Sequence, residues 1–250
     1  MALITLEDLA ELEEEDAVSA APSNPEPMDE DEEQHNQLFA HWQSVANTHQ
    51  VDLPREMMGP IQQLIRHNQV QEHVPYLPGT RFEKCNETAY EERLYPAGKW
   101  AYISRSEKLY EQSISMGFMK LMRYICSENS AGHHLGMTIP IINEIRIVTE
   151  GNCLTPEVVT AYYLPAVFQD QPPQPMDPDI EIVERQPMSV VTRVFFGTVN
   201  EEIILQEIQA LTDLLGTTDA YSRDTYIIAT YENPSVTQRR NEIWFIHTSQ

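Results

Sequence analysis

Tyr90-Glu91-Glu92-Arg93-Leu94-Tyr95-Pro96-Ala97-Gly98-Lys99-Trp100-Ala101-Tyr102-Ile103-Ser104 reads as one long strand interrupted by Pro96. A proline cannot donate to a β-ladder, so it marks a bulge or an edge in a bent strand. Ser104 and Glu107 then form an S-x-x-E capping box. A helix follows with apolar positions at Tyr110, Ile114, Gly117, Phe118, Leu121, Met122 and Ile125, and after it two strand-like runs, Pro140–Val148 and Val158–Leu164. The same order recurs downstream. Ile180–Phe196 is broken by Pro187, and Asn200 is placed as a helix N-cap with Glu201 and Glu202 in the favourable first turn. Ile204, Ile208, Leu211 and Leu215 make the apolar stripe, Gly216 suits the C′ position, and Thr225–Tyr231 and Glu242–His247 are the closing strands. The Pro-rich run Gln171–Pro178 joins the halves. Two pseudo-symmetric β-α-β-β repeats predict an α+β fold: about eight antiparallel strands that can close into a distorted β-barrel, with a helix flanking each half.

Outward from this core the chain is unevenly charged. Its 250 residues carry 16 Lys+Arg and 39 Asp+Glu, a formal charge of −23. No Lys or Arg precedes Arg55, while residues 1–54 hold 14 of the acids. There is no basic stripe for phosphate, so nucleic acid is not an expected partner. There is no polybasic patch for an anionic membrane, and no apolar run approaches the ~20 residues needed to span a bilayer. The N-terminus lacks the features of a secretory or transit signal, which makes the cytoplasm the expected compartment. Cys85, Cys126 and Cys153 are odd in number and widely spaced, so free thiols are expected rather than a disulfide framework or zinc site.

The organisation divides at two points. Residues 1–34 read as a disordered acidic tail, although Leu3, Leu6, Leu9 and Leu12 recur every three residues and suit a short partner-binding helix, a leucine-rich export-type signal or a frayed acidic helix that binds nothing. Residues 35–79 read as a helical extension, with Leu38, Trp42 and Val45 and then Met57, Ile61, Leu64 and Ile65 at helical spacing; the sequence does not say what they pack on. Residues 80–250 are the main domain.

No GxSxG, HExxH, P-loop or GxGxxG motif is present, so no enzyme is expected. His133-His134 is a weak metal signal, since adjacent side chains point apart. The first domain helix carries more apolar surface than one stripe requires: Met116, Met119 and Met122 join Phe118 and Leu121, and Met137 follows. Methionine is common where surfaces accept apolar ligands, and also in plain cores. Lys120 and Arg123, three residues apart, suit the rim of a groove.

Several segments, in order, resemble the SOUL/haem-binding-protein family: Tyr90–Ala101, Gly136-Met137-Thr138-Ile139-Pro140, Pro172-Pro173-Gln174-Pro175, Glu184-Arg185-x-x-Met188, Tyr226-x-x-Ala229-x-Tyr231-x-x-Pro234 and Arg239-Arg240-Asn241-Glu242-Ile243-Trp244-Phe245-Ile246. The resemblance implies a non-enzymatic protein that binds haem or another tetrapyrrole noncovalently in an apolar cleft beside the first domain helix, for buffering, transport or sensing. It implies that Phe118, Met122 and Arg123 line that cleft, with Met119 and Met137 from the methionine stripe and Tyr231 as a neighbour. Leu94 stands where some relatives carry a proposed haem-ligating His, Ser115 replaces a basic cleft position, and a third such position is lost in Pro234–Gln238. Those departures motivate an alternative: an interaction protein that keeps the fold without haem, acts in cell-death or signalling pathways, and meets a protein partner through residues 1–79. The run Arg239–Glu242 is expected to be structural.

Overall fold

The computed structural model describes residues 30–67, 71–148, 153–216, 218–232 and 234–248. The chain opens with helix α1 (Glu30–Thr48), a 3-10 turn (Arg55–Met57) and helix α2 (Met58–His67). Strands β1 (Gln71–His73), β2 (Leu77–Lys84), β3 (Glu87–Tyr95) and β4 (Gly98–Ser106) precede helix α3 (Tyr110–Cys126). Then come β5 (Met137–Ile139), β6 (Ile141–Val148), β7 (Cys153–Tyr163), β8 (Glu181–Arg185) and β9 (Met188–Phe196). Helix α4 (Glu201–Leu215) leads to β10 (Tyr221–Thr230) and β11 (Arg240–His247). The leucine repeat at Leu3–Leu12 lies outside the described residues. Helix α1 begins inside the stretch read as acidic tail, and the extension read as helical ends in β1 and the start of β2.

Pro96 and Pro187 are where the chain changes partners. The sheet order is β2-β3-β9-β11-β10-β6-β7-β4-β8. Its centre is the antiparallel β6–β10 pair, which joins one half (β4, β6, β7) to the other (β9, β10, β11). Before its proline, each half sends a strand across to the other: β3 pairs with β9 and β8 with β4. The missing N–H at each proline ends one ladder and lets the next residues begin another. The α+β antiparallel architecture and both repeats are present. The closed barrel is not: β2 and β8 are free ends of a nine-stranded open sheet. The ninth strand, β2, is exposed along its whole length and contains Pro78 and Gly79, so it shows no alternation to read.

Alternation sorts the core onto the two faces. Ile227, Ala229, Val190, Ile142 and Trp244 pack on the face without the two domain helices, while Ile228, Ile243, Phe245 and Val191 face α4. Helix α3 lies on β4 and β7, where Gly117 permits close approach: a Cβ there would stand 3.0 Å from Thr160 Oγ1 and 3.4 Å from Ile103 Cγ2. Asn200 caps α4 as expected, its Oδ1 accepting from Ile203 N at 2.9 Å, and Gly216 follows with φ +72. The Ser104/Glu107 capping box is not formed. Ser104 remains in β4 and donates to Glu157, because β4 runs on to Ser106 against β7. Helix α3 starts at Tyr110, and the backbone N–H of Leu109 donates to Gln112 Oε1 at 3.2 Å.

Candidate functional site

The face of α3 that carries Phe118, Met119 and Met122 is covered by the N-terminal extension. Phe118 and Met122 are buried and Met119 is partly so, in one cluster with Leu38 and Trp42 of α1, Leu53, Met57, and Met58, Ile61 and Leu64 of α2. Polar contacts fix the cover in place. His49 Nδ1 and Ser115 Oγ are hydrogen-bonded at 2.7 Å. Gln112 Nε2 donates to Gln50 O at 3.1 Å, and Cys126 Sγ to Pro60 O at 3.3 Å. Thus Ser115 helps to hold the extension through its hydroxyl. Small pockets lie beside α3 among the described residues. One, of about 50 Å³, lies between Trp42, Leu53, Met57, Ile61, Phe118 and Met122. Another, of about 30 Å³, lies between His49, Tyr110, Phe118 and Arg239. Pockets for drug-sized ligands enclose roughly 300–1,000 Å³, so the tetrapyrrole implied by the resemblance does not fit beside α3 in this conformation.

The basic rim is neutralised internally. Lys120 Nζ lies 2.9 Å from Asp177 and 2.6 Å from Asp179, and exposed Arg123 donates from Nε to Glu128 at 2.8 Å. Arg239 differs. It is buried, donates from Nη1 to Pro234 O at 2.6 Å, and meets no carboxylate at ion-pair distance among the described residues. Burial therefore pulls its guanidinium below the usual range, partly countered by Tyr110. His49 is pushed down to about 4, first by burial and then by Arg239. Glu232 lines the smaller void with these groups, and its Oε2 accepts from Arg240 N.

The remaining candidates separate. Met137 on β5 is buried in the α3 cluster. Tyr231 is not: it belongs to the cluster on the opposite sheet face, and its hydroxyl donates to Glu242 Oε2 at 2.8 Å. Glu242, with no exposed surface, also receives Trp244 Nε1 at 2.8 Å and a bidentate pair from Arg93 at 2.8 and 3.1 Å. Arg93 reaches on to Glu91 at 2.9 Å. Burial alone would raise the Glu91 carboxyl, but Arg93 and Arg81 hold it below its ordinary value. Asn241 donates to Gly197 O and Arg239 O, closing the turn into β11. Leu94 is exposed and lines a separate open groove with Leu77, Pro187 and His247. His133 Nδ1 contacts the His134 carbonyl, while the His134 ring stacks on His67 at 4.5 Å and is pushed down to about 4, mainly by burial. No group of three His, Cys, Asp or Glu among the described residues is placed to hold a metal.

His49, Trp42 and Arg239 were absent from the sequence-based site. Trp42 was visible as part of an apolar stripe in need of a cover, Arg239 stood in a run read as structural, and His49 had no signal of its own.

With that geometry established, residues 71–246 match the family model described as SOUL heme-binding protein. Heme-binding protein 1 of Xenopus laevis is 31% identical over 159 residues, 63% of this chain and 83% of the relative. Heme-binding protein 1 of Mus musculus is 30% identical over 162 residues, 64% and 85%. Heme-binding protein 2 of Homo sapiens is 27% identical over 164 residues, 65% and 80%. Helices α1 and α2 precede the matched segment.

Proposed function

Because this chain belongs to the SOUL heme-binding protein family, we propose that it holds a haem or related tetrapyrrole noncovalently against the apolar face of α3, without catalysing a reaction on it. The observation that carries this reading is the family match over residues 71–246 together with the Phe118, Met119 and Met122 surface inside it. When bound, the macrocycle would bury against these side chains, and its carboxylates would compete with Asp177, Asp179 and Glu128 for Lys120 and Arg123. Buffering, carriage or sensing in the cytoplasm fits such a protein, and no helix among the described residues is long and apolar enough to cross a membrane. Residues 80–250 are the proposed ligand-binding domain and 35–79 its extension.

Titration of haemin and protoporphyrin IX into the full chain, followed by the Soret band and tryptophan quenching, tests this. A saturable one-to-one change is expected, and it disappears in Met122→Asp if circular dichroism shows that variant folded. No saturable change at micromolar protein, in the full chain or in a folded variant with its cover loosened, overturns the reading. A second reading, an interaction protein without a tetrapyrrole, is favoured by the closed cleft and by Leu94 and Ser115. Failure of haemin to bind both the full chain and a variant with its cover loosened selects it.

A further inference from the structure

The extension occupies the place where the proposed ligand would lie, and it meets that place with both apolar and polar contacts. Trp42, Met57 and Ile61 cover Phe118 and Met122, and His49 is bonded to Ser115. These contacts come from a segment N-terminal to the matched region 71–246. Beneath the cover, Arg239 lies buried with no carboxylate at ion-pair distance among the described residues, beside Tyr110 and Phe118. A cation held out of water without a carboxylate is costly, and an anion delivered to it removes that cost. An apolar floor that ends at such a cation matches a flat apolar body bearing a carboxylate.

Resting on the tetrapyrrole reading above, we propose that residues 38–65 are a displaceable cover over the ligand cleft, and that the ligand enters by lifting this cover and placing a carboxylate on Arg239. The chain thereby regulates its own site: the measured affinity is the intrinsic affinity reduced by the fraction of molecules with the cover lifted. The cover has two anchors, the apolar one at Ile61 and Trp42 and the polar one at His49. With the cover down, Arg123 at the rim is paired with Glu128. Arg239 is the only member of the site whose charge has no carboxylate partner when the cover is down, among the described residues.

The test uses the full chain. Hydrogen exchange with and without haemin should show residues 38–65 losing protection on binding while β6, β10 and β11 keep theirs. Ile61→Asp and, as a milder variant, Trp42→Ala should bind haemin at least tenfold tighter than the wild type. Haemin should be preferred over its dimethyl ester, and Arg239→Gln should remove that preference. Haemin binding with the extension still protected, and with equal affinity in wild type and both cover variants, overturns the proposal. The dye 1-anilinonaphthalene-8-sulfonate separates the two layers. Dye binding to the cover variants but not to the wild type, with no haemin bound by any of them, keeps the cover and removes the tetrapyrrole reading. No dye and no haemin bound by folded cover variants overturns the cover as well.

Discussion

Glu242 takes donors from Arg93, Arg240, Tyr231 and Trp244 while exposing no surface. Such a network is stable only when complete, because removing one charge leaves its partner buried and unpaired. Glu242→Gln keeps the shape but cannot accept both arms of the Arg93 guanidinium. We expect it to cost about 3 kcal/mol, read as a lower urea midpoint with an unchanged slope. A loss below about 0.5 kcal/mol would mean that Arg93 finds full compensation in Glu91. Haemin affinity should not change, since this network lies on the sheet face away from α3. Within the run Arg239–Glu242, read as structural, Asn241 and Glu242 make fold-holding hydrogen bonds. Tyr231 was misplaced because a residue just past a strand end carries no sequence mark of the face it joins. Arg239 was hidden because its meaning depends on the absence of a nearby carboxylate, which only folding shows.

The elements were largely legible, and their partners were not. Pro96, Pro187, Asn200 and Gly216 each marked a boundary by chemistry that acts within a few residues. Strand β2 escaped because none of its side chains is buried, and the start of α3 moved because pairing of β4 with β7 outweighed a local capping signal. The stripes of α1 and α2 announced helices, but a stripe does not name its cover. Their docking should depend on pH through His49, which faces Ser115 and Tyr110 on α3 and Arg239 and Glu232 near β11. Its imidazole is depressed from 6.5 to about 4 when docked, so the undocked state binds more protons between those values. The docking free energy from this group is therefore complete above pH 6.5 and is lost as pH falls toward 4. By pH 5 the loss is on the order of 2 kcal/mol. Protection of residues 38–65, corrected for intrinsic exchange, should fall between pH 7 and pH 5, and His49→Asn, which has no proton to gain, should flatten that fall. A wild-type profile as flat as the variant's would show that His49 does not govern docking.

At the scale of the whole molecule the dominant quantity is the charge of −23, of which residues 1–29 hold nine carboxylates and no Lys or Arg. A field of this sign repels a dianionic porphyrin before it makes any contact, so its effect belongs to the association rate rather than to the seated complex. Salt controls its reach, with a Debye length of roughly 30 Å at 0.01 M and about 8 Å at 0.15 M. A chain beginning at residue 30 keeps α1, α2 and every described contact of the cover, so the comparison isolates charge from occlusion. Stopped-flow association of haemin should be about threefold faster for the shorter chain at 0.01 M ionic strength, with the two rates converging above roughly 0.5 M. The Ile61→Asp gain should persist at both salt concentrations, because it arises from apolar uncovering. A rate ratio that ignores ionic strength would move the effect of residues 1–29 from their field to steric obstruction, and a ratio of one at 0.01 M would remove them from the entry step altogether.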